Sequence, residues 1–126
     1  MMSQEHVYCL AIEKLTKQYN FFKTTNYIRI LFDELTRIMN HMLAIACHAL
    51  DIGSMSSIFW AFEEREKLME FYERVSGARM HAAFHKPQNQ FNFNLDKQLL
   101  VDMLVFVKEC FLTLNEMHNV LTHNKI

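Results

Sequence analysis

A regular succession of apolar residues between positions 28 and 49 constrains the fold more than any other feature of this sequence. The residues recur in alternating steps of three and four, and they are Ile28, Leu31, Leu35, Ile38, Met42, Ile45 and Ala49. Such steps place side chains on one face of an α-helix, whereas a half-buried strand alternates with a period of two. The pattern predicts a long amphipathic helix over about residues 25–51, with an apolar face about six turns long.

Glycine and proline are scarce, which leaves few positions for tight turns. The chain has two glycines and one proline in 126 residues, and Gly53 and Gly77 each follow a helical pattern that they can end. Pro87 disfavours helix at the residue before it, so residues 78–93 are predicted to form an irregular connection. The length suits one unit, 1–126, and the sequence predicts an all-α fold of about four helices at about 3–18, 25–51, 57–76 and 94–123.

The first and fourth predicted helices show helical spacing with less regularity. Ser3 is expected to cap the first helix and Asn94 the fourth. The residues predicted to face inward are Val7, Leu10, Ala11 and Leu15 in the first helix, and Leu99, Met103, Phe106, Cys110, Leu114, Met117 and Leu121 in the fourth.

The third predicted helix carries opposite charges at the spacing of one helical turn. The pairs are Glu63 with Lys67 and Glu70 with Arg74. Residues four apart are neighbours on a helix surface, so these pairs predict a solvated, ion-paired face.

Hydrophobic residues make up 51% of the chain, which is high for a small protein whose surface must be hydrated. Part of this apolar surface is therefore predicted to meet a partner, and the alternative is a dense core rich in phenylalanine and methionine. A formal net charge of -1 does not favour binding to nucleic acid or to an anionic membrane surface.

Three widely spaced cysteines, Cys9, Cys47 and Cys110, suit reduced thiols in a core and a reducing compartment. No direct membrane span is predicted, because polar residues interrupt the most apolar stretch, namely Arg37, His41, His48 and Asp51. The first seven residues lack the apolar core of a signal peptide.

Histidine spacing does not favour a metal site. His41 and His48 would stand about 10.5 Å apart along a helix, too far to share one ion. His81 and His85 have the spacing of a ligand pair, but Pro87 argues against a helix there. The sequence also lacks a glycine-rich phosphate loop, a G-x-S-x-G motif and a CxxC motif, so the chain alone is predicted to hold no complete active site and no cofactor.

A polar stripe on the second helix includes His48 and Asp51, which are neighbours three residues apart. A carboxylate beside a histidine can relay or tune protons, because the imidazole pKa is easily moved near neutrality. The residues alone favour the alternative that the stripe is a solvated face or a contact with an N-terminal domain.

Several segments together resemble a known family: 3–15, 27–32, 35–41, 48–53, 60–67 and 71–81, of which Trp60-Ala61-Phe62-Glu63-Glu64-Arg65-Glu66-Lys67 is among the most specific. The family is the 49-kilodalton subunit of respiratory complex I, which is similar to the large subunit of nickel-iron hydrogenases. The resemblance covers the whole chain and about a third of a family member. It implies a fragment of a split subunit, belonging to the helical core of that subunit.

This resemblance implies electron transfer from NADH to ubiquinone, coupled to proton pumping by the whole assembly. The fragment would form part of the wall between the ubiquinone cavity and a terminal [4Fe-4S] cluster held by a neighbouring subunit. Asp51 stands at the position of the carboxylate implicated in proton relay at the quinone site, with His48 beside it. His81 matches the histidine beside the terminal cluster, with Arg79 near it. Beyond Phe84 the sequence departs from the family, which usually reads arginine-proline-glycine-glycine.

The implied partners are other fragments of the same subunit, the neighbouring subunit that binds the cluster, and further complex I subunits. The implied location is peripheral, on the matrix side of the mitochondrial inner membrane, or on the cytoplasmic face in a bacterium. Two alternatives stay open. A fragment of a hydrogenase-like membrane-bound complex need not bind quinone, and a free helical interaction protein would fold as a soluble monomer.

Overall fold

The computed structural model describes residues 2–17, 23–87 and 95–123. Over these ranges the chain forms four helices, α1 (Met2–Thr16), α2 (Lys23–Ile52), α3 (Met55–Ser76) and α4 (Lys97–Thr122). The same ranges contain no strand, and the predicted all-α class is confirmed. The segment 78–87 is not helical, as Pro87 led us to expect.

Both glycines end helices in the predicted way. Gly53 and Gly77 have positive φ angles of 104° and 77°, a conformation that glycine adopts without a Cβ clash. The Gly77 backbone N–H donates to the Glu73 carbonyl at 2.8 Å and closes the last turn of α3.

The predicted N-caps differ from the observed ones. The first helix already begins at Met2, so Ser3 lies inside its first turn. Asn94, the expected cap of α4, lies outside the described residues. Asp96 is the N-cap instead, and its side chain accepts a hydrogen bond from the Gln98 backbone N–H at 3.2 Å.

Helix α2 lies at the centre of the packing, with α1 and α3 against it, and α4 packs against α3. The core unites α2 and α3 side chains such as Phe32, Met39, Leu68 and Tyr72. Because α2 is covered from two sides, its buried face is wider than the predicted stripe. Phe32 and Met39 are fully covered, whereas Ile45, predicted to face inward, is exposed.

The predicted inward face of α1 is wrong. Val7, Leu10, Ala11 and Leu15 are all exposed, and the residues buried instead are Met2, Cys9 and Glu13. The reason is electrostatic, because Glu13 pairs with a buried arginine of α2 and this pairing sets which face of α1 points inward.

Most of the predicted inward face of α4 is confirmed. Leu99, Met103, Phe106, Cys110 and Met117 are buried, and Phe106 meets Phe71 of α3 edge to face. Leu114 and Leu121 were predicted wrongly, since both are exposed. Cys47 is also exposed, whereas Cys9 and Cys110 are buried free thiols whose pKa is raised by burial.

One of the two predicted α3 ion pairs is present. Arg74 binds Glu70 at 2.5 Å and extends to Asp102 of α4, also at 2.5 Å. Lys67 binds Glu64 at 3.0 Å, and not Glu63 as predicted. Lys67 turns toward Glu64 because that carboxylate is buried against α4, where Thr113 also donates to it.

A buried ion pair joins α1 to α2. Two guanidinium nitrogens of Arg29 donate to the two carboxylate oxygens of Glu13, at 3.1 and 2.9 Å. Both side chains are almost fully covered, at 1% and 2% exposure. The guanidinium also donates to the Lys86 carbonyl at 3.0 Å, so one cation holds three parts of the chain.

We expect Arg29→Met to lower the free energy of unfolding by about 3–5 kcal/mol, because it leaves a buried carboxylate without the guanidinium that neutralises it. Replacing both partners, Arg29→Met with Glu13→Leu, should recover most of the loss. Arg37→Met serves as the control, since Arg37 forms an exposed pair with Glu34, and should cost under about 0.5 kcal/mol. Urea unfolding measures all three. Equal stability of Arg29→Met and the parent protein would contradict the role of the pair.

Candidate functional site

A groove of about 790 Å³ lies at the carboxyl end of α2. Its walls are mostly apolar, and they come from Ala44, Ile45, His48, Ala49, Ile52, Gly53, Ser54 and Leu121. The small alanine side chains leave space beside the helix, and His48 brings an imidazole to an otherwise apolar wall. The groove has the character of a ligand site, which combines apolar walls with few polar groups.

The predicted relay residues lie together at this end of α2. His48 lines the groove, and Asp51 follows on the next turn, one residue before the helix ends at Ile52. Both side chains are exposed. Within the described part of the chain neither makes a side-chain hydrogen bond or ion pair, so both are open to a group from outside.

The other predicted pair, Arg79 and His81, lies on the non-helical segment after α3, and both side chains are exposed. Arg79 forms an ion pair with Glu66 of α3 and approaches Glu73 at 3.9 Å. These contacts hold the start of the segment against α3. His81 makes no hydrogen bond or ion pair to the described residues, and no such bond joins Arg79 or His81 to His48 or Asp51 in those ranges.

A polar cluster that the sequence analysis missed lies where α1, α2 and the segment 82–87 meet. His6 Nδ1 donates to Asp33 Oδ2 at 2.5 Å, and His85 Nε2 lies 3.8 Å from Asp33 Oδ1. The two imidazole rings stack with centroids 5.2 Å apart. One carboxylate therefore faces two histidines from different parts of the chain.

The His85 side chain is completely buried, beside Phe84. Burial lowers its pKa from 6.5 to about 4; the charges of His6 and Arg29 act in the same direction, and Asp33 opposes them. Neither ring nitrogen has a hydrogen-bond partner among the described residues. His85 is consequently neutral at neutral pH.

Hydrogen bonds to the backbone anchor the segment that follows His81. Glu5 of α1 accepts from the Phe84 backbone N–H at 3.2 Å, and Arg29 of α2 binds the Lys86 carbonyl. The departure from the family sequence after Phe84 thus begins in a segment that α1 and α2 both hold. Residues 88–93, the rest of the predicted irregular connection, lie outside the described residues.

The described ranges contain no group of three or more histidine, cysteine, aspartate or glutamate side chains placed to hold a metal ion. His81 and His85 lie on non-helical backbone, one exposed and one buried, and so do not form a helical ligand pair. Across the described helices, none combines the length and the hydropathy needed to cross a bilayer.

The protein is an all-α chain with an apolar groove and exposed polar groups at the end of its central helix. Residues 51–126 match the family profile described as the 49 Kd subunit of respiratory-chain NADH dehydrogenase. The whole chain is 67% identical to the NADH-ubiquinone oxidoreductase 49 kDa subunit of Paramecium tetraurelia, and covers 32% of it. It is 49% identical to the subunit of that name in Pylaiella littoralis and 51% identical to that in Acanthamoeba castellanii, covering 31% of each.

The chain therefore belongs to the family of the 49 kDa subunit of respiratory-chain NADH dehydrogenase, or complex I. It spans about a third of the length of the curated relatives that it matches. The resemblance found in the sequence is confirmed.

We expect the stability of the protein to fall as the pH drops from about 6.5 to about 4 because of His85. An unfolded histidine binds its proton near pH 6.5, while folded His85 does so near pH 4. The unfolded state is therefore increasingly favoured as the pH falls through this window. The free energy of unfolding decreases by up to about 3 kcal/mol in total, and it does not decrease further for this reason below pH 4.

His85→Phe should remove this component, so that the loss of unfolding free energy between pH 7 and pH 5 shrinks by roughly 2 kcal/mol. His41→Phe is the control, because His41 is exposed and its replacement should leave the slope unchanged. Urea unfolding at the two pH values gives both numbers. An unchanged slope in His85→Phe would show that His85 is not buried and neutral.

Proposed function

We propose that this chain forms part of the quinone-site subunit of proton-translocating NADH:ubiquinone oxidoreductase. It would contribute the wall between the ubiquinone cavity and the terminal iron-sulfur cluster, while the active site is completed by the rest of the assembly. Family membership supports the assignment. The structural observation that carries it is the apolar groove at the end of α2, with His48 in its wall and Asp51 beside it.

The groove suits a quinone better than a charged substrate. Its described lining combines aliphatic side chains with one imidazole and one serine, and among these residues there is no arginine or lysine to bind phosphate or carboxylate. A quinone ring with an isoprenoid tail is apolar apart from its two carbonyl oxygens. Aliphatic walls accommodate the ring and tail, and a hydrogen-bond donor near the ring accommodates a carbonyl.

Asp51 and His48 are proposed to supply protons during quinone reduction. Ubiquinone takes up two electrons, which derive from NADH, and two protons to become ubiquinol. An imidazole can give up a proton and regain it near neutral pH, and a neighbouring carboxylate stabilises the protonated ring. Both side chains are exposed in this chain, which allows them to face a cavity completed by another part of the subunit.

Arg79 and His81 are proposed to lie on the side that faces the terminal cluster. The cluster would be held by a neighbouring subunit, as the resemblance to the family implies. A histidine beside a cluster favours the reduced, more negative state when it is protonated, so it links the potential to pH. Arg79 is fixed by its ion pair with Glu66 and keeps the segment against α3.

The proposed partners are the remaining parts of the same subunit, the cluster-binding neighbour and other complex I subunits. The chain leaves several large apolar side chains exposed at the end of α2 and the start of α3, including Ile52, Met55 and Phe59. Exposed apolar patches of this kind mark surfaces that are covered in an assembly. The proposed location is peripheral, on the matrix side of the mitochondrial inner membrane.

We expect Asp51→Asn in the assembled complex to slow quinone reduction roughly 10- to 100-fold, because the amide cannot take part in proton relay. Electron entry from NADH into the clusters should be unchanged. Asp96→Asn is a matched control, since asparagine can still cap α4. Quinone reductase activity and reduction of an artificial electron acceptor measure the two steps. Normal quinone reduction in Asp51→Asn would exclude the proposed relay.

For His81→Ala we expect a weaker pH dependence of the terminal cluster's midpoint potential. A redox-linked proton gives a slope of about 59 mV per pH unit, and the slope should fall toward zero when the histidine is removed. His123→Ala is the control, since His123 is an exposed histidine at the end of α4. Redox titrations at several pH values provide the test. An unaltered slope would remove His81 from the cluster's surroundings.

A further inference from the structure

Helix α4 carries a second apolar stripe besides the one that packs in the core. The side chains of this second stripe are Leu100, Leu104, Val107, Phe111 and Leu114. They are between 36% and 66% exposed. The buried stripe occupies a different face, so the second stripe is unexplained by the packing of the described residues.

The spacing of the second stripe is that of a helix–helix seam. Its steps are four, three, four and three residues, which is the alternation of the inward positions in a coiled coil. The stripe runs for about 21 Å along α4, because each residue of a helix rises about 1.5 Å. Scattered exposed leucines are ordinary, but a continuous stripe of this length and period is typical of a surface that packs against another helix.

We propose that the second stripe of α4 is the docking surface for an α-helix contributed by the remaining two-thirds of the 49 kDa subunit. This inference rests on the proposed function, which makes the chain part of such a subunit. The curated relatives are about three times as long as the region they share with this chain. A relative of that length has enough additional chain to supply the helix.

The chemistry of the surface specifies an apolar helix face as the occupant. No charged residue interrupts the stripe between Leu100 and Leu114, so a polar partner face would be left without hydrogen bonds there.

The first measurement compares the accessibility of two valines in the assembled complex. Val107 lies on the stripe and is 50% exposed, and Val101 lies off it and is 51% exposed. They are about 120° apart around the helix. Val107→Cys and Val101→Cys would each be made with Cys47→Ser, which removes the exposed native thiol, and labelled with a water-soluble maleimide.

We expect the Val107→Cys variant to react with the maleimide at least about tenfold more slowly than the Val101→Cys variant, because a docked helix excludes water and reagent from the stripe. Equal rates would overturn the proposal. The complex is isolated by its NADH dehydrogenase activity, which separates this failure from failure of the proposed function. Absence of the chain from the active complex would overturn both.

A second measurement identifies the occupant. Phe111→p-benzoylphenylalanine places a photoreactive ring on the stripe, and Leu112→p-benzoylphenylalanine places it about 100° away at nearly equal exposure, 65% against 64%. Mass spectrometry should find the 111 probe linked to a helical peptide from the remaining part of the same subunit, and the 112 probe not linked to that peptide. Linkage of the 111 probe to another subunit, to a second copy of this chain or to lipid would overturn the assignment.

Discussion

The buried Arg29–Glu13 ion pair is the contact on which the arrangement of α1, α2 and the segment after α3 depends. Its two charges lie in an interior where water cannot screen them, so each requires the other in place. Two aliphatic side chains would pack as tightly but would tolerate a rotation of α1. The bidentate geometry does not, because both guanidinium hydrogen bonds fix the direction of the carboxylate.

The same guanidinium holds the Lys86 carbonyl, and this links helix packing to the site. The segment it holds begins just after His81, and His85 within it is buried against Asp33 of α2. A charge pair that orients α1 therefore also fixes the course of the chain beyond the residue proposed to face the cluster. Substitutions in this region of α2 would affect the site by displacing the segment that follows His81. Such an effect requires no contact between the substituted residue and a substrate.

Helix positions could be predicted from the sequence because they depend on local spacing. Which face is buried could largely be predicted for α4, where apolar spacing determines it, but not for α1. On α1 the apolar residues Val7 and Leu15 are exposed while Glu13 is buried, since the pairing of Glu13 with Arg29 depends on how α1 crosses α2. Spacing along one helix contains no information about that crossing.

Only part of the candidate site could be predicted from the sequence, for a related reason. The positions of Asp51 and His81 were found through resemblance to the family, and no periodicity singles them out. The cluster of His6, Asp33 and His85 had a weak signal, since a polar residue directly follows an aromatic one at both Asp33 and His85. Those two residues are 52 positions apart, and only the fold brings them together.

The polar groups of the chain divide into two sets by the partners they have. Glu5, Arg29 and Asp33 bind groups within the chain, and their hydrogen bonds hold helices and backbone in place. His48 and Asp51 are exposed beside an apolar groove and bind no side chain in the described ranges. Burial of a polar group is tolerated when its partner is internal, whereas an exposed polar group is hydrated and stays accessible to a group from outside. The first set therefore maintains the shape of this piece, and the second set is free to take part in the quinone cavity that we propose.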